Sequence, residues 1–526
     1  MNRSTNSRSL GLLLALSLGL GAACGGTQTT IEPLDEPETP EPVAEAPERV
    51  PPPESGPARD VSFPPIARAS TDSGLEVNAV EWNQLPVVYL RLVIKSGGEA
   101  DPADRPGLAH LVGAMLKEGT RTRRSNQLAE EVDFLGADLW VSDDEENIYI
   151  GMRALSDQLP QAMAILADVA MNPAFRQDEL GKLKRRELDR LALQQNDPNF
   201  LASQAFYRNL YGEHPYGRID TTREVVEGVR RTDLSRWHRS HFVPNNATLV
   251  AVGAVDSTQV MAAANEAFGR WRRGNVPTVE YAEPPLREAR EIIVVDRPES
   301  VQSVIRIGNL ALERDSEAYV PLRVANQVLG GSAASRLFMD LRERRSLTYG
   351  AYSRVGESVE VAPFTAHASV RNEVTQEAVG AFFEHLERIV SEEAPAEELT
   401  NAHRFLSDSF PLTIDTPGKI AYLVADLRVY GLADDYWDNY RTSIREVTAP
   451  QALSAAREDI LPDRALVVVV GKAAEIAASL TVFGPVTVID TDGEEVQRLP
   501  AAPESGEAAP AAPAAPEEEQ APAAAE

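Results

Sequence analysis

The stretch Pro106–Thr120, PGLAHLVGAMLKEGT, decides how the fold of this chain is interpreted. From Leu108 to Met115, apolar residues recur at i, i+3, i+4 and i+7, the spacing of one core-facing side of an α-helix. Pro106 suits the first turn of such a helix, and Gly119 suits its carboxyl-terminal end. The stretch therefore predicts a helix that packs against a core.

Strand and helix patterns alternate around this helix, and their order occurs twice along the chain. Residues 87–99 predict a strand and residues 137–155 predict a hairpin in the first half. Residues 300–312 and 347–370 repeat that order in the second half. We therefore expect an α+β fold of two similar halves, each a mainly antiparallel sheet packed on helices, which together form a cleft.

The two ends differ in composition from the middle of the chain. Arg3 and Arg8 precede an apolar run, which is the order found in a secretory signal. Segments rich in Pro, Glu and Ala follow the signal and end the chain, and such segments bury too little apolar surface to fold. The predicted organisation is a signal peptide (1–23), a disordered tether (24–64), a first half (65–273), a linker (274–290), a second half (291–496) and a disordered tail (497–526).

Cys24 is the single cysteine of the chain and directly follows the predicted signal peptide. Residues 20–26, LGAACGG, resemble the cleavage box of a bacterial lipoprotein, which implies lipid on the Cys24 thiol and on its new amine. The alternative is an ordinary secreted protein with a stray cysteine, but the position of the cysteine favours the lipoprotein. Because several acyl chains anchor stably, we expect a cell-envelope protein held by lipid at the outer membrane, facing the periplasm.

The formal net charge of the 526-residue chain is −29. A nucleic-acid partner requires a basic face that neutralises phosphates. The charge therefore argues against nucleic-acid binding, and the length allows two to four domains.

Four stretches of the chain together resemble the pitrilysin/insulinase family of zinc metallopeptidases, which includes the mitochondrial processing peptidase. They occur in the family's order and are GLAHLVGAMLKEGT (107–120), LYGEHPYGR (210–218), HFVPNNATLVAVG (241–253) and SRLFMDLRERRSLTYGAYS (335–353). The resemblance implies two similar α+β halves that face each other across a cleft for an extended peptide.

Active members of this family carry the motif H-x-x-E-H on the helix that matches Pro106–Thr120. Two His four residues apart share one helix face and ligate one zinc ion, while the Glu activates zinc-bound water. Here His110 is retained, but Gly113 stands at the position of the base and Ala114 at that of the second ligand. We therefore expect this chain to bind no metal and interpret His110 as a vestigial, hydrogen-bonded residue.

The family takes its third metal ligand from a later helix, which corresponds to residues 184–198. Arg190 lies at the expected distance, and Glu187 or Asp189 could shift into its place. An active peptidase with such shifted ligands is the weakest of the functional hypotheses, because His110 alone cannot hold a catalytic zinc ion.

In the family, the second half supplies an Arg and a Tyr, seven residues apart, that reach toward the zinc site. They match Arg342 and Tyr349. A guanidinium can hold a peptide carbonyl, and a phenol can donate to a developing oxyanion. The residues alone also allow an ion pair of Arg342 on a helix rich in Arg and Glu, and packing of Tyr349 within a strand.

Bacterial members of the family often work as two chains, one with the zinc motif and one that lacks it but keeps the Arg and the Tyr. The resemblance thus implies a non-zinc subunit that places Arg342 and Tyr349 beside the zinc ion of a homologous partner and acts on peptides or unfolded polypeptides. The alternative is a lipid-anchored peptide-binding or scaffold protein with no part in catalysis.

Overall fold

The computed structural model describes residue 56 and residues 60–503 of the chain. The predicted signal peptide, most of the predicted tether with Cys24, and residues 504–526 of the predicted tail lie outside this part. Within it, no helix combines the length and the apolar character needed to cross a membrane.

The first half alternates strands and helices as its sequence predicts. Its elements are β1 (Ala67–Ser70), β2 (Glu76–Glu81), β3 (Val87–Ile94), α1 (Leu108–Leu116), α2 (Ser125–Phe134), β4 (Asp138–Asp143), β5 (Ile148–Leu155), α3 (Leu159–Met171), α4 (Gln177–Gln194), α5 (Pro198–Tyr211), α6 (Arg223–Gly228), α7 (Arg231–His241), β6 (Ala247–Gly253) and α8 (Ser257–Phe268).

The second half repeats the strands of the first and adds several helices. Its elements are β7 (Glu291–Asp296), β8 (Gln302–Leu310), α9 (Tyr319–Leu329), α10 (Arg336–Phe338), β9 (Thr348–Val355), β10 (Pro363–Arg371), α11 (Thr375–Ser391), α12 (Ala396–Asp408), α13 (Pro417–Val429), α14 (Tyr436–Glu446), α15 (Ala449–Asp459), β11 (Leu466–Gly471), α16 (Ala473–Leu480), β12 (Val486–Ile489) and β13 (Glu495–Leu499).

The strand pairing confirms the predicted α+β fold with two similar halves. The first sheet has the order β1-β2-β6-β3-β5-β4, and the second has the order β13-β12-β7-β11-β8-β10-β9. In each half a parallel pair, β2 with β6 or β7 with β11, is followed by antiparallel pairs out to an edge strand, and the second sheet has a further parallel pair, β7 with β12. The edge strands β4 and β9 therefore occupy equivalent positions in the two sheets.

Each sheet is covered on one face by a helix from the opposite half. Helix α13 of the second half packs on β3 and β6, and helix α5 of the first half packs on β8 and β11. Phe206 of α5 is fully buried in a cluster with Val468 and Val470 of β11. Burial of such a side chain contributes about 2–3 kcal/mol, so the exchanged helices hold the two halves together.

The ordered part of the chain extends beyond the predicted boundary at residue 496. Strand β13 continues through Leu499, where Arg498 pairs with Thr487 and Leu499 pairs with Val486 of β12. The prediction that residues 497–499 are disordered is therefore wrong. Backbone pairing at the sheet edge orders this segment, and composition alone does not reveal such pairing.

Candidate functional site

Helix α1 carries the residues that match the zinc motif, and its predicted apolar face is confirmed. Leu111, Val112 and Met115 are fully buried in the core of the first half. The predicted start of the helix is wrong, because the helix begins after Pro106 and Gly107. The carboxylate of Asp101, from the preceding loop, accepts a hydrogen bond from the Ala109 amide at 2.8 Å and caps this end.

His110 lies between two carboxylates. Its Nδ1 donates to both oxygens of Asp143 on β4 at 3.1 Å, and its Nε2 donates to Glu187 Oε2 on α4 at 3.3 Å. Burial alone would lower the pKa of His110, but the two carboxylates raise it to about 10. His110 is therefore an imidazolium at neutral pH, with a proton on each ring nitrogen.

The carboxylate of Glu187 is shared between two cations. Arg190 Nε donates to Glu187 Oε2 at 2.6 Å, and the other nitrogens of Arg190 hold Asp220 at 2.7 and 2.8 Å. Burial opposes the ionisation of Glu187, but hydrogen bonds from His110 and Arg190 lower its pKa to about 2. Asp143, His110, Glu187, Arg190 and Asp220 form one chain of alternating charges, which we call the ion-pair chain.

The residues at this position do not fit a zinc ion. Gly113 and Ala114 have no donor atom, and the second ligand and the base of the family motif are thus missing. Both ring nitrogens of His110 lie within hydrogen-bond distance of a carboxylate, which is Asp143 for Nδ1 and Glu187 for Nε2. Across residues 60–503, no group of three or more His, Cys, Asp or Glu side chains is arranged to hold a metal ion.

Gly113 lies in the interior of α1, where crowding does not require a glycine. A Cβ atom at this position would lie 3.6 Å from Asp143 Oδ1 and from Val141 Cγ1, which is ordinary contact. Since Gly costs about 1 kcal/mol relative to Ala inside a helix, Gly113→Ala should raise the free energy of unfolding by about that amount. Urea denaturation measures the change, and a decrease would contradict the prediction.

A matched glycine provides the control for this substitution. Gly107, at the start of the same helix, has φ +80°, and a Cβ there would lie 2.3 Å from the Cβ of Thr221. Gly107→Ala should therefore destabilise the protein while Gly113→Ala stabilises it.

Arg342 lies in a single π-helical turn, Met339–Arg344, that follows α10 directly. The sequence pattern predicted one regular helix here, and the wider turn is a local departure from it. The guanidinium of Arg342 stacks over the ring of Phe338, 4.8 Å from its centre, and Nε lies 3.4 Å from Glu343 Oε1. The side chain remains 45% exposed, so its outer edge is free to contact another molecule.

The turn that carries Arg342 is fixed by a buried carboxylate. Asp340 accepts hydrogen bonds from His385 Nε2 at 2.9 Å and from Arg345 Nε at 3.1 Å. Ser346 then adopts φ +54°, which ends the turn sharply. The backbone that presents Arg342 is thereby held in one conformation.

Tyr349 lies at a β-bulge between β9 and β10. Thr348 pairs with Val370 and Ala351 pairs with Ala368, so Tyr349 and Gly350 together face one residue of β10. A bulge turns a side chain away from its regular direction, and the Tyr349 side chain is 90% exposed. Because it is so exposed, the alternative that Tyr349 packs within the strand is wrong.

Two sequence profiles match the chain. The profile described as insulinase (peptidase family M16) matches residues 78–219, and the profile described as peptidase M16 inactive domain matches residues 228–406. The chain belongs to the insulinase family. Helix α1, which carries His110, Gly113 and Ala114, lies within the part of the chain that matches the insulinase profile.

Two bacterial proteins illustrate the similarity of this chain to its relatives. An uncharacterized zinc protease of Rickettsia bellii is 24% identical over 357 residues, which cover 66% of this chain and 83% of that protein. Another, from Streptomyces coelicolor, is 23% identical over 379 residues, which cover 71% of this chain and 82% of that protein.

Solved structures share the same fold. A peptidase M16 inactive domain from Pseudomonas fluorescens matches with a TM-score of 0.73 at 26% identity and covers 77% of this chain and 98% of that chain. A protease from Helicobacter pylori matches with a TM-score of 0.72 at 17% identity and covers 77% of this chain and 99% of that chain. The second likeness shows a common fold alone.

A polar cavity of about 400 Å³ lies between the two halves of this insulinase-family chain. The second sheet contributes Arg306, Arg354 and His367, and the hairpin between β4 and β5 contributes three consecutive acidic residues, 144–146. The cavity thus offers donors from the second half and carboxylates from the first.

One carboxylate of the cavity joins the two halves. Glu146 Oε1 accepts a hydrogen bond from the Val359 amide at 2.5 Å and another from the Tyr216 hydroxyl. Nearby, the Tyr211 hydroxyl donates to the Val361 carbonyl at 2.7 Å. Burial raises the pKa of Glu146 to about 7, although both of its hydrogen bonds act in the opposite direction.

Sequence reasoning missed Glu146 as a partner of Tyr216. The segment LYGEHPYGR had served only as evidence of the family. In the structure, His214 of this segment stacks on Tyr281 at 5.2 Å, and Tyr216 reaches Glu146, 70 positions away. The only sequence signal was the family-like spacing of this segment, and that spacing does not identify Glu146 as the partner of Tyr216.

The pKa of Glu146 predicts a pH dependence of stability. Between pH 4.5 and about 7 the unfolded chain releases this proton while the folded protein retains it, so stability falls as the pH rises through this window. Glu146→Gln keeps an acceptor oxygen and should reduce the loss of stability between pH 5 and 8. Urea denaturation at both pH values measures this loss, and the exposed Glu130→Gln serves as the control that should leave it unchanged.

Proposed function

We propose that this chain is the non-zinc subunit of a heteromeric insulinase-family peptidase. It closes the cleft on a homologous chain with an intact H-x-x-E-H motif, and Arg342 and Tyr349 contact the substrate beside the partner's zinc ion. The partner's metal supplies the hydrolytic chemistry, and the substrate is a peptide or an unfolded polypeptide. The observation that carries the proposal is the exposure of Tyr349 at a bulge next to a rigid turn that bears Arg342.

The ion-pair chain supports the proposal that this chain does not bind the zinc ion and that its partner does. His110 is held by Asp143 and Glu187, and Glu187 Oε2 is held by His110 and Arg190, so both side chains are committed to ion pairs. A second-half surface that presents an Arg and a Tyr is, in contrast, suited to bind a carbonyl or a developing oxyanion. The chain thus lacks the means to activate water at this site but retains donors that stabilise charge on a substrate.

Reconstitution tests the proposal. The purified chain should not cleave an unstructured peptide alone, and it should restore cleavage when mixed with a homologous chain from the same organism that carries H-x-x-E-H. Size-exclusion chromatography of the mixture should show a complex of both chains. Stoichiometric zinc and full activity in the isolated chain would contradict the proposal.

We further propose that lipid on Cys24 holds the chain at the bacterial outer membrane, facing the periplasm. The support is the position of the single cysteine directly after a signal-like segment. Mass spectrometry of the mature amino-terminal peptide should detect an acylated cysteine, and Cys24→Ser should move the protein from the membrane fraction to the soluble fraction. An unmodified Cys24 in the mature protein would contradict this localisation.

A second candidate function is peptide binding without catalysis. The edge strands β4 and β9 end their sheets, and an extended peptide can be added to such an edge. The polar cavity between the halves offers further contacts. Tight binding of an unfolded peptide, with no cleavage in any pairing of chains, would favour this function over the first.

A further inference from the structure

An open cavity of about 620 Å³ on the first half is lined by arginines. Five side chains contribute, from the loops before α2 and α4 and from α7: Arg121, Arg124, Arg176, Arg231 and Arg239. One carboxylate, Asp178, lies at its wall. We call this cavity the arginine basin, and its positive charge contrasts with the formal net charge of −29 of the whole chain.

The nearby carboxylates do not neutralise the basin. Arg123, which lies between Arg121 and Arg124 in sequence, forms ion pairs with Glu131 and Asp168, each at 2.6 Å. In the described part of the chain, none of the five basin guanidiniums forms an ion pair with a carboxylate. In the loop before α2, the neighbouring carboxylates therefore pair with Arg123, and Arg121 and Arg124 remain without a carboxylate partner among the described residues.

The backbone holds the basin residues in place. Arg176 donates to the Thr120 carbonyl at 3.1 Å, which ties the two loops together. Phe175, which is buried, adopts φ +44°, an unusual conformation for a bulky residue. On α7, Arg231 and Arg239 lie two turns apart on one face.

The positive charge of the basin affects the pKa of the buried His238. Burial and, to a smaller extent, the positive charges of Arg121 and Arg239 together lower the pKa of His238 to about 4. The ring is neutral and donates to the Ala170 carbonyl at 2.7 Å. Two basin charges therefore act on the protein interior without a compensating anion from the described chain.

We propose that the arginine basin binds a phosphate-bearing anion. A guanidinium presents two parallel N–H groups that match two phosphate oxygens, and several guanidiniums around one cavity can bind one phosphate group from different sides. A chain with a large negative charge repels anions elsewhere on its surface, so such an anion is recognised locally. The phosphate can belong to a soluble diphosphate or to the headgroup of an anionic phospholipid.

Binding of two probes to the full-length chain tests the proposal. Cys24→Ser serves as the parent so that lipid does not anchor the protein. Calorimetry measures the binding of inorganic pyrophosphate. Sedimentation compares the binding of the protein to phosphatidylglycerol vesicles with its binding to phosphatidylcholine vesicles. Binding of pyrophosphate identifies a soluble ligand, whereas selective binding of phosphatidylglycerol vesicles alone identifies a lipid headgroup.

A charge-matched control separates the basin from the overall charge of the protein. The triple substitution Arg121→Gln, Arg124→Gln and Arg239→Gln removes exposed basin charges and should weaken binding at least tenfold. The control replaces three exposed arginines outside the basin by Gln and should bind like the parent; these residues are Arg270, Arg404 and Arg464. Equal weakening in both variants, or no binding of either probe by the parent, would overturn the proposal.

Discussion

Replacing Arg342 with Ala should lower the rate of peptide cleavage by the reconstituted pair about 100-fold. Removal of one preorganised donor to a developing oxyanion typically costs a factor of 10²–10³ in rate, or about 3–4 kcal/mol. The effect should fall on kcat more than on KM, because the charge develops in the transition state. Steady-state kinetics with a fluorogenic peptide, at a fixed ratio of the two chains, measures both constants.

The same π-helical turn offers a matched control for Arg342→Ala. Arg344 is 68% exposed and lies 3.4 Å from Asp340, so Arg344→Ala removes an equal charge beside the same backbone. Its cleavage rate should stay within about twofold of the parent. Because both variants keep the contacts of Asp340 with His385 and Arg345, both should assemble with the partner as the parent does.

Tyr349→Phe tests the second donor independently. The ring and its exposure are preserved and a single hydroxyl is lost, so assembly should not change. A rate equal to that of the parent in both Tyr349→Phe and Arg342→Ala, with the complex intact, would show that this pair has no catalytic role. That result would favour the peptide-binding function.

Local sequence patterns were sufficient to predict the architecture. The apolar spacing of α1 and the strand–hairpin order of each half depend on neighbours within one element, and the structure confirms both. The equivalence of β4 and β9 follows from the same repeated order. The exchange of α5 and α13 between halves was not predicted, because periodicity identifies an apolar face but not the surface that covers it.

The sequence predicted that the zinc motif is broken, but it did not predict the ion pairs that His110 forms instead. Gly113 and Ala114 were sufficient to predict that the zinc motif is broken. The pairing of His110 with Asp143 and Glu187 joins residues 33 and 77 positions apart, and no local pattern links them. The sequence left Glu187, Asp189 and Arg190 as alternatives, and the structure places Glu187 against His110 and turns Arg190 toward Asp220.

Glu187→Ala should lower the free energy of unfolding by about 3 kcal/mol. Removing one partner of a buried ion pair leaves its counter-charges uncompensated and costs about 3–5 kcal/mol. Glu187 is 7% exposed and serves two cations, but His110 keeps Asp143 and Arg190 keeps Asp220, which favours the lower end of that range. Urea denaturation at pH 7 measures the change.

A neighbour on α4 separates the role of Glu187 from a general effect of charge. Asp189 is exposed on the same helix, and Asp189→Ala removes an equal charge at a cost below about 0.5 kcal/mol. If the ion-pair chain is the cause, Glu187→Ala should cost much less in a protein that already carries His110→Ala and Arg190→Ala. An unchanged cost in that background would assign the loss to packing of α4 and not to the ion-pair chain.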